Sequence, residues 1–272
     1  MKVKQFIKRA LPNRAMRAYR GARGRWDRND PLFDLAAEPD GPLASLYDEV
    51  KQLPGYFTYD DTVAFSLLLA TQSISGVSGD VLEIGSYHGR STAVIARYMN
   101  HGERLVVCDT FEESAEDTYP VPPTPDGLRR TLKRLAPNMD PGCLEIYACR
   151  SDELTLAGAN LRFAHIDGGH SHEVALHDLR LAASHLSPHG IIAVDDYKHP
   201  QWPEVTTAVD AFMTESGFSV VADVNRWAEA GRKIYLTLVL IPGSSPSDLQ
   251  VRNDDTLPKL GDESEQEIPV RQ

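Results

Sequence analysis

From about residue 43 to residue 242 the chain alternates two hydrophobic rhythms. Short apolar, β-branched runs occur at Val81–Gly85, Leu105–Asp109, Leu144–Ala148, Phe163–Asp167 and Ile191–Asp195, with a weaker one at Phe218–Ala222 and a long one at Ile234–Ile241. Stretches with helical spacing fill most of the gaps, over 90–100, 127–136, 172–186 and 203–216, and two more, 43–53 and 60–75, precede the first run. Short, largely apolar runs read as strands buried on both faces, and their alternation with helices predicts a mostly parallel sheet. The expectation is therefore an α/β fold: a doubly wound, seven-stranded sheet with an antiparallel last strand and a helical N-terminal extension. No internal repeat is visible.

Composition adds boundaries to that pattern. At 272 residues and 42% hydrophobic, the chain can bury one full core, expected over 43–242. Residues 1–42 form a basic arm: Val3, Phe6, Ile7, Ala10 and Leu11 have helical spacing until Pro12, and ten Lys/Arg against one acid give residues 1–28 a charge of +9. The rest, with 18 basic and 38 acidic residues, carries −20. Such a body repels nucleic acid, and it has no basic stripe with interleaved aromatics. The arm suits an anionic surface or a second subunit, and the opposed charges predict a homo-oligomer. Residues 243–272, rich in Ser, Pro, Asp and Glu, read as a disordered acidic tail. Three cysteines without a C-x-x-C pair, no signal-peptide core and no apolar run near ~20 residues predict a soluble, cytoplasmic protein.

Two places carry chemistry. The first is Glu83-Ile84-Gly85-Ser86-Tyr87-His88-Gly89-Arg90-Ser91-Thr92, a strand end, a tight turn and a helix start. Gly85 and Gly89 let backbone turn sharply and approach a ligand. Ser91 and Thr92 fall where free N–H groups favour a carboxylate. Glu83, costly to bury alone, would answer an amino group through water or backbone. The G-x-x-x-G spacing departs from the G-x-G-x-x-G fingerprint of dinucleotide enzymes. Asp109, ending the second strand, stands where ribose hydroxyls would be presented.

The second place joins Asp167-Gly168-Gly169-His170-Ser171 after the fourth strand to Asp195-Asp196-Tyr197 after the fifth. Ligands of doubly wound sheets bind beyond the carboxyl ends of strands, so both clusters should face the glycine loop. Asp167, Asp195 and Asp196 would repel one another unless protonated or neutralised, and oxygen-only ligands favour Mg2+. A metal there could lower the pKa of a substrate hydroxyl, with His170 as general base. The alternatives are ordinary: Asp167 or Ser171 can cap the next helix, and Asp195 and Asp196 can point to opposite sides. His165 within its strand reads as a hydrogen-bonded core residue. The aromatic loop Tyr197–Pro203 should wall an acceptor pocket, and Arg226-Trp227 could reach it.

Glu83-x-Gly85-x-x-x-Gly89 with Asp109 resembles motif I and its partner in class I S-adenosylmethionine-dependent methyltransferases, which have a Rossmann-like fold. The resemblance implies that Gly85, Ser86 and Gly89 contact the cofactor, with Glu83, Ser91, Thr92 and Asp167 around it, and that Asp109 holds its ribose. It also puts Asp152, in Cys149-Arg150-Ser151-Asp152, near the adenine. The run from His165 to Asp178, Leu186-Ser187-Pro188-His189-Gly190 and Asp195-Asp196-Tyr197 are similar to the metal-dependent group around macrocin and mycinamicin sugar O-methyltransferases, which includes proteins termed cephalosporin hydroxylases. That similarity spans roughly residues 55 to 242 and implies Asp167, Asp195 and Asp196 as metal ligands and His170 as base. Two departures stand out: Asp195 is shorter than the Glu of some relatives, and His189 replaces a common Gly. The function implied is a Mg2+-assisted O-methyltransferase acting on a hydroxyl of a sugar or secondary metabolite. A metal-independent methyltransferase and a non-catalytic interaction protein on the same fold are the alternatives.

Overall fold

The structure, a computed structural model, describes residues 41–112, 121–225 and 231–238. The basic arm through residue 40, the acidic tail, Arg226-Trp227 and the end of the long last run lie outside the described residues.

The helical extension comes first. Helix α1 (Pro42–Val50) starts on a proline, whose missing N–H costs nothing at a helix start, and buries Leu43, Leu46 and Val50. Helix α2 (Tyr59–Ile74) opens with a capping box, Thr58 accepting from Asp61 N–H while Asp61 Oδ2 accepts from Thr58 N–H. The core then runs β1 (Asp80–Ile84), α3 (Arg90–Ala96), β2 (Leu105–Asp109), α4 (Pro125–Leu135), β3 (Leu144–Ala148), β4 (Leu161–Ile166), α5 (His172–Ser184), β5 (Leu186–Tyr197), α6 (Pro203–Ser216), β6 (Phe218–Asn225) and β7 (Arg232–Leu238).

The seven strands lie in the order β3-β2-β1-β4-β5-β7-β6. The first five pair in parallel, and β7 inserts antiparallel between β5 and β6, as the sequence pattern predicts. The order reverses between β1 and β4, which makes their carboxyl ends the switch point where such sheets hold ligands. One strand is longer than its apolar run: β5 begins at Leu186, since Leu186 pairs with Leu161 ahead of a register shift.

Each face of the sheet carries its own core. On one, Val81, Val107, Phe163, Ala193 and Tyr235 pack against Phe65 and Leu69 of α2, Val94 of α3 and Leu128 and Leu132 of α4. On the other, Leu82, Ile84, Ile166, Ile192 and Ile234 meet Leu179 of α5 and Val209 and Phe212 of α6. Burying one such side chain is worth about 1.5–3 kcal/mol. At the amino end of the sheet, fully buried Arg162 makes a two-pronged bond to Glu103, 2.8 Å on each oxygen, and reaches Gln72 and the Tyr98 carbonyl. This joins α2, β4 and the segment before β2. Among the described residues no helix is long and apolar enough to cross a membrane.

Candidate active site

The glycine loop is shaped by its neighbours. Gly85 sits at φ +83°, and a Cβ there would lie 1.8 Å from the Asp167 carbonyl oxygen, so the ends of β1 and β4 can meet only over a glycine. Gly89, at φ +87°, would place a Cβ 2.5 Å from Leu128 Cδ1 of α4. The smallness of Gly85 is thus required by packing, while at Gly89 the left-handed φ is what favours glycine. Asp109 Oδ2 accepts from the backbone N–H groups of Ser86 and Tyr87, each at 2.7 Å, and from Ser86 Oγ at 3.1 Å. Its Oδ1 accepts from Phe111 N–H at 2.7 Å. Asp109 therefore orders the loop whether or not it also meets a ribose. Arg90 fastens the helical extension to this loop by donating to the Leu53 and Lys51 carbonyls.

Other expected cofactor contacts fall differently. Ser91 and Thr92 are buried at the start of α3. Asp152, on a short 3-10 turn (Ser151–Glu153), is held by Arg150, whose guanidinium lowers its pKa below the usual carboxylate value. A cleft of about 360 Å³ opens between Tyr87-His88 and the residues Thr124, Gly127, Leu128 and Arg130 at α4.

Glu83, at the end of β1, has a partner inside the sheet. It is fully buried, and its Oε1 lies 2.9 Å from His165 Nδ1, directly across the β1–β4 pairing. Its carboxylate begins a polar chain beneath the strand ends. His165 Nε2 is 2.8 Å from Lys233 Nζ, and that ammonium is 2.6 Å from Asp195 Oδ2. An ammonium only donates, so Nε2 accepts, Nδ1 carries the hydrogen toward Glu83, and the imidazole is neutral. Burial and the adjacent Lys233 charge hold the His165 pKa below its ordinary value. His165 is the hydrogen-bonded core residue that its strand position suggests. Lys233, which the sequence pattern does not single out, joins it because β7 runs beside β5 with Ile234 opposite Val194.

The paired acids divide. Asp195 turns to Lys233, while Asp196, at φ +56°, turns to His170, whose Nε2 is 3.2 Å from Asp196 Oδ2. The His170 ring also stacks on Trp202, with centroids 4.2 Å apart and planes 26° from parallel. Trp202 belongs to the aromatic loop expected to wall the pocket, and here it fixes the histidine ring.

The expected metal set of Asp167, Asp195 and Asp196 is thereby changed. The donor atoms that converge within 4.8 Å of one another are those of His165, Asp167 and Asp195. Two of those residues already share the Lys233 ammonium. Mg2+ asks for oxygen ligands at about 2.0–2.1 Å in octahedral array. A set with one imidazole and a resident cation does not fit it. An S-adenosylmethionine-like ligand fits better. The loop 85–89, Asp109 and the partly exposed Asp167 carboxylate gather at the carboxyl ends of β1, β2 and β4, where polar groups can meet its amino acid and ribose.

Comparison with known proteins bears on the fold and on the segment from β1 to β5. Residues 82–197 match a family model described as a methyltransferase domain. No curated protein matches the chain in sequence. Among solved structures, the O-methyltransferase NovP superposes with a TM-score of 0.54 at 16% identity, covering 77% of this chain and 96% of NovP. An O-methyltransferase from Klebsiella pneumoniae, described as putative, gives 0.53 at 18%, covering 76% and 93%. TomG from Streptomyces achromogenes, an O-methyltransferase of tomaymycin synthesis solved with S-adenosylmethionine, gives 0.50 at 17%, covering 76% and 93%. At these identities the superpositions speak for the fold, and the family match covers β1 to β5. Residues 82–197 thus match a methyltransferase domain, and the sheet and its flanking helices have the fold of the O-methyltransferases on which the chain superposes.

Proposed function

We propose that the chain methylates a hydroxyl oxygen of a small molecule, a sugar or a secondary metabolite, with His170 as the general base. The carrying observation is the His170–Asp196 pair, which joins the segment after β4 to the end of β5. With Nε2 directed at Asp196, Nε2–H donates to the carboxylate and Nδ1 remains the proton-accepting nitrogen. Stacking on Trp202 limits rotation of the ring, which keeps that nitrogen in one place. S-adenosylmethionine, when bound, supplies a methyl carbon that the acceptor oxygen displaces from sulfur, the C–S electron pair staying with sulfur. His170 takes the hydroxyl proton and passes it to solvent, for which its partial exposure suits it. Asp196 stabilises the imidazolium that forms. General-base help of this kind contributes about 10²–10⁴-fold in rate.

The test is a turnover screen of the full chain with S-adenosylmethionine against glycosylated and phenolic acceptors, following S-adenosylhomocysteine release. Turnover confined to hydroxyl acceptors, and lost in His170→Ala, supports the reading. Transfer only to nitrogen or carboxylate acceptors sinks it.

A further inference from the structure

Lys233 is fully buried near the start of β7, with its ammonium over the rings of Phe57 and Phe65 at 5.2 Å from each centroid. Lysine is almost never buried unless its charge is paired. Here Asp195 Oδ2 at 2.6 Å supplies the counter-charge, and His165 Nε2 at 2.8 Å accepts a second hydrogen bond. The Glu83–His165 bond fixes that lone pair toward Nζ from behind. The ammonium thus sits on two of the three residues whose donor atoms would otherwise converge on a cation.

We propose that Lys233 is the resident cation of this site and that the chain transfers methyl groups without a divalent metal. This rests on the methyltransferase reading above. A divalent ion would have to displace Nζ from Asp195 and His165 and then stand beside the same ammonium in a low-dielectric interior, where like charges repel strongly. The neutral imidazole is, besides, a ligand that Mg2+ does not favour. Lys233 has no exposed surface, so it touches no substrate and acts as a positioning residue. It neutralises Asp195 and sets a fixed positive potential behind Asp167, at the strand ends where charge develops on the acceptor oxygen. A charge already in place when the reaction starts needs no reorganisation, which is what makes preorganised electrostatics effective.

The experiment uses the full chain and Mn2+ as probe, followed by water-proton relaxation, beside turnover with and without chelator and calorimetry with S-adenosylhomocysteine. The wild-type chain should bind no Mn2+ below millimolar levels and keep its turnover after exhaustive chelation. Lys233→Met should lose on the order of 10²-fold in kcat, keep its S-adenosylhomocysteine affinity, and gain Mn2+ binding at the vacated position. A merely structural lysine would not produce that gain. Tight Mn2+ binding by the wild type, turnover abolished by chelation, or a folded Lys233→Met chain that binds no Mn2+ would each overturn the proposal. Should Lys233→Met not fold, the pair Lys233→Met with Asp195→Asn removes both charges together. That protein should bind S-adenosylhomocysteine normally and turn over poorly, and wild-type kcat in it would overturn the proposal. If no hydroxyl acceptor turns over in any arm, the O-methyltransferase reading fails, while the Mn2+ measurements still decide the role of Lys233.

Discussion

His170 Nε2 lies 3.2 Å from Asp196 Oδ2, and this pairing separates Asp196 from its sequence neighbour Asp195. It gives the His170 ring a carboxylate partner, on which the proposed proton transfer rests. His170→Ala should lower kcat by about 10²–10⁴-fold, and Asp196→Asn by a smaller factor. Neither should change the binding of S-adenosylhomocysteine, measured by calorimetry. Loss of cofactor affinity in either variant would mean that the pair supports the fold of the cofactor loop and does not move the proton.

Gly85 and Gly76 make a controlled comparison. Both have positive φ, +83° and +75°, but a Cβ at Gly85 meets the Asp167 carbonyl at 1.8 Å while Gly76 has open space around it. Gly76→Ala should cost about 1–2 kcal/mol, the ordinary price of the left-handed region. Gly85→Ala adds a backbone clash and should cost about 3 kcal/mol or more, since such overpacking alone is worth about 1–3 kcal/mol. Urea denaturation of the two variants measures the difference, and equal losses would show that the β1–β4 approach is looser than described.

Asp109 accepts three backbone N–H groups and one hydroxyl from the loop and its own turn. Asp109→Ala should leave those donors without their anion and let the loop open. A loss of about 1.4 kcal/mol corresponds to a tenfold rise in Kd, and at least that is expected for S-adenosylmethionine. Unchanged affinity would place the cofactor elsewhere on the sheet.

Asp178, fully buried in α5, gives a pH signature. Burial, opposed by Ser151 and reinforced by the charge of Asp152, pushes its carboxyl up to about 7. An unfolded aspartate titrates near ~3.9, so between about pH 4 and pH 7 the unfolded chain releases a proton that the folded chain keeps. Stability from this group is therefore greatest below pH 4 and falls as pH rises toward 7, by about 4 kcal/mol at most. Asp178→Asn should flatten that part of the pH–stability curve, read from denaturant midpoints at pH 5 and pH 7.5. A variant curve parallel to the wild type would show that Asp178 ionises normally.

Much of this architecture was legible in local rhythm. Apolar runs such as Leu105–Cys108 and Ile191–Val194 are strands in the structure, because a strand buried on both faces reads as a near-continuous apolar run. The acids at strand ends could be placed at one edge of the sheet for the same reason. The start of β5 at Leu186 was not legible, since it depends on pairing with Leu161 across the sheet.

What the sequence determined by itself was thus the order of elements, the glycine loop after β1 and the gathering of Asp109, Asp167, Asp195, Asp196 and His170 around the strand ends. The choice of partners came from the packing of the strands. Lys233 is 68 positions from His165, and its meeting with His165 and Asp195 follows from β7 entering antiparallel beside β5. Periodicity fixes which face a side chain takes, but strand order fixes which charge it finds there. In a buried, low-dielectric space that pairing decides whether three acids and two histidines hold a metal ion or a lysine.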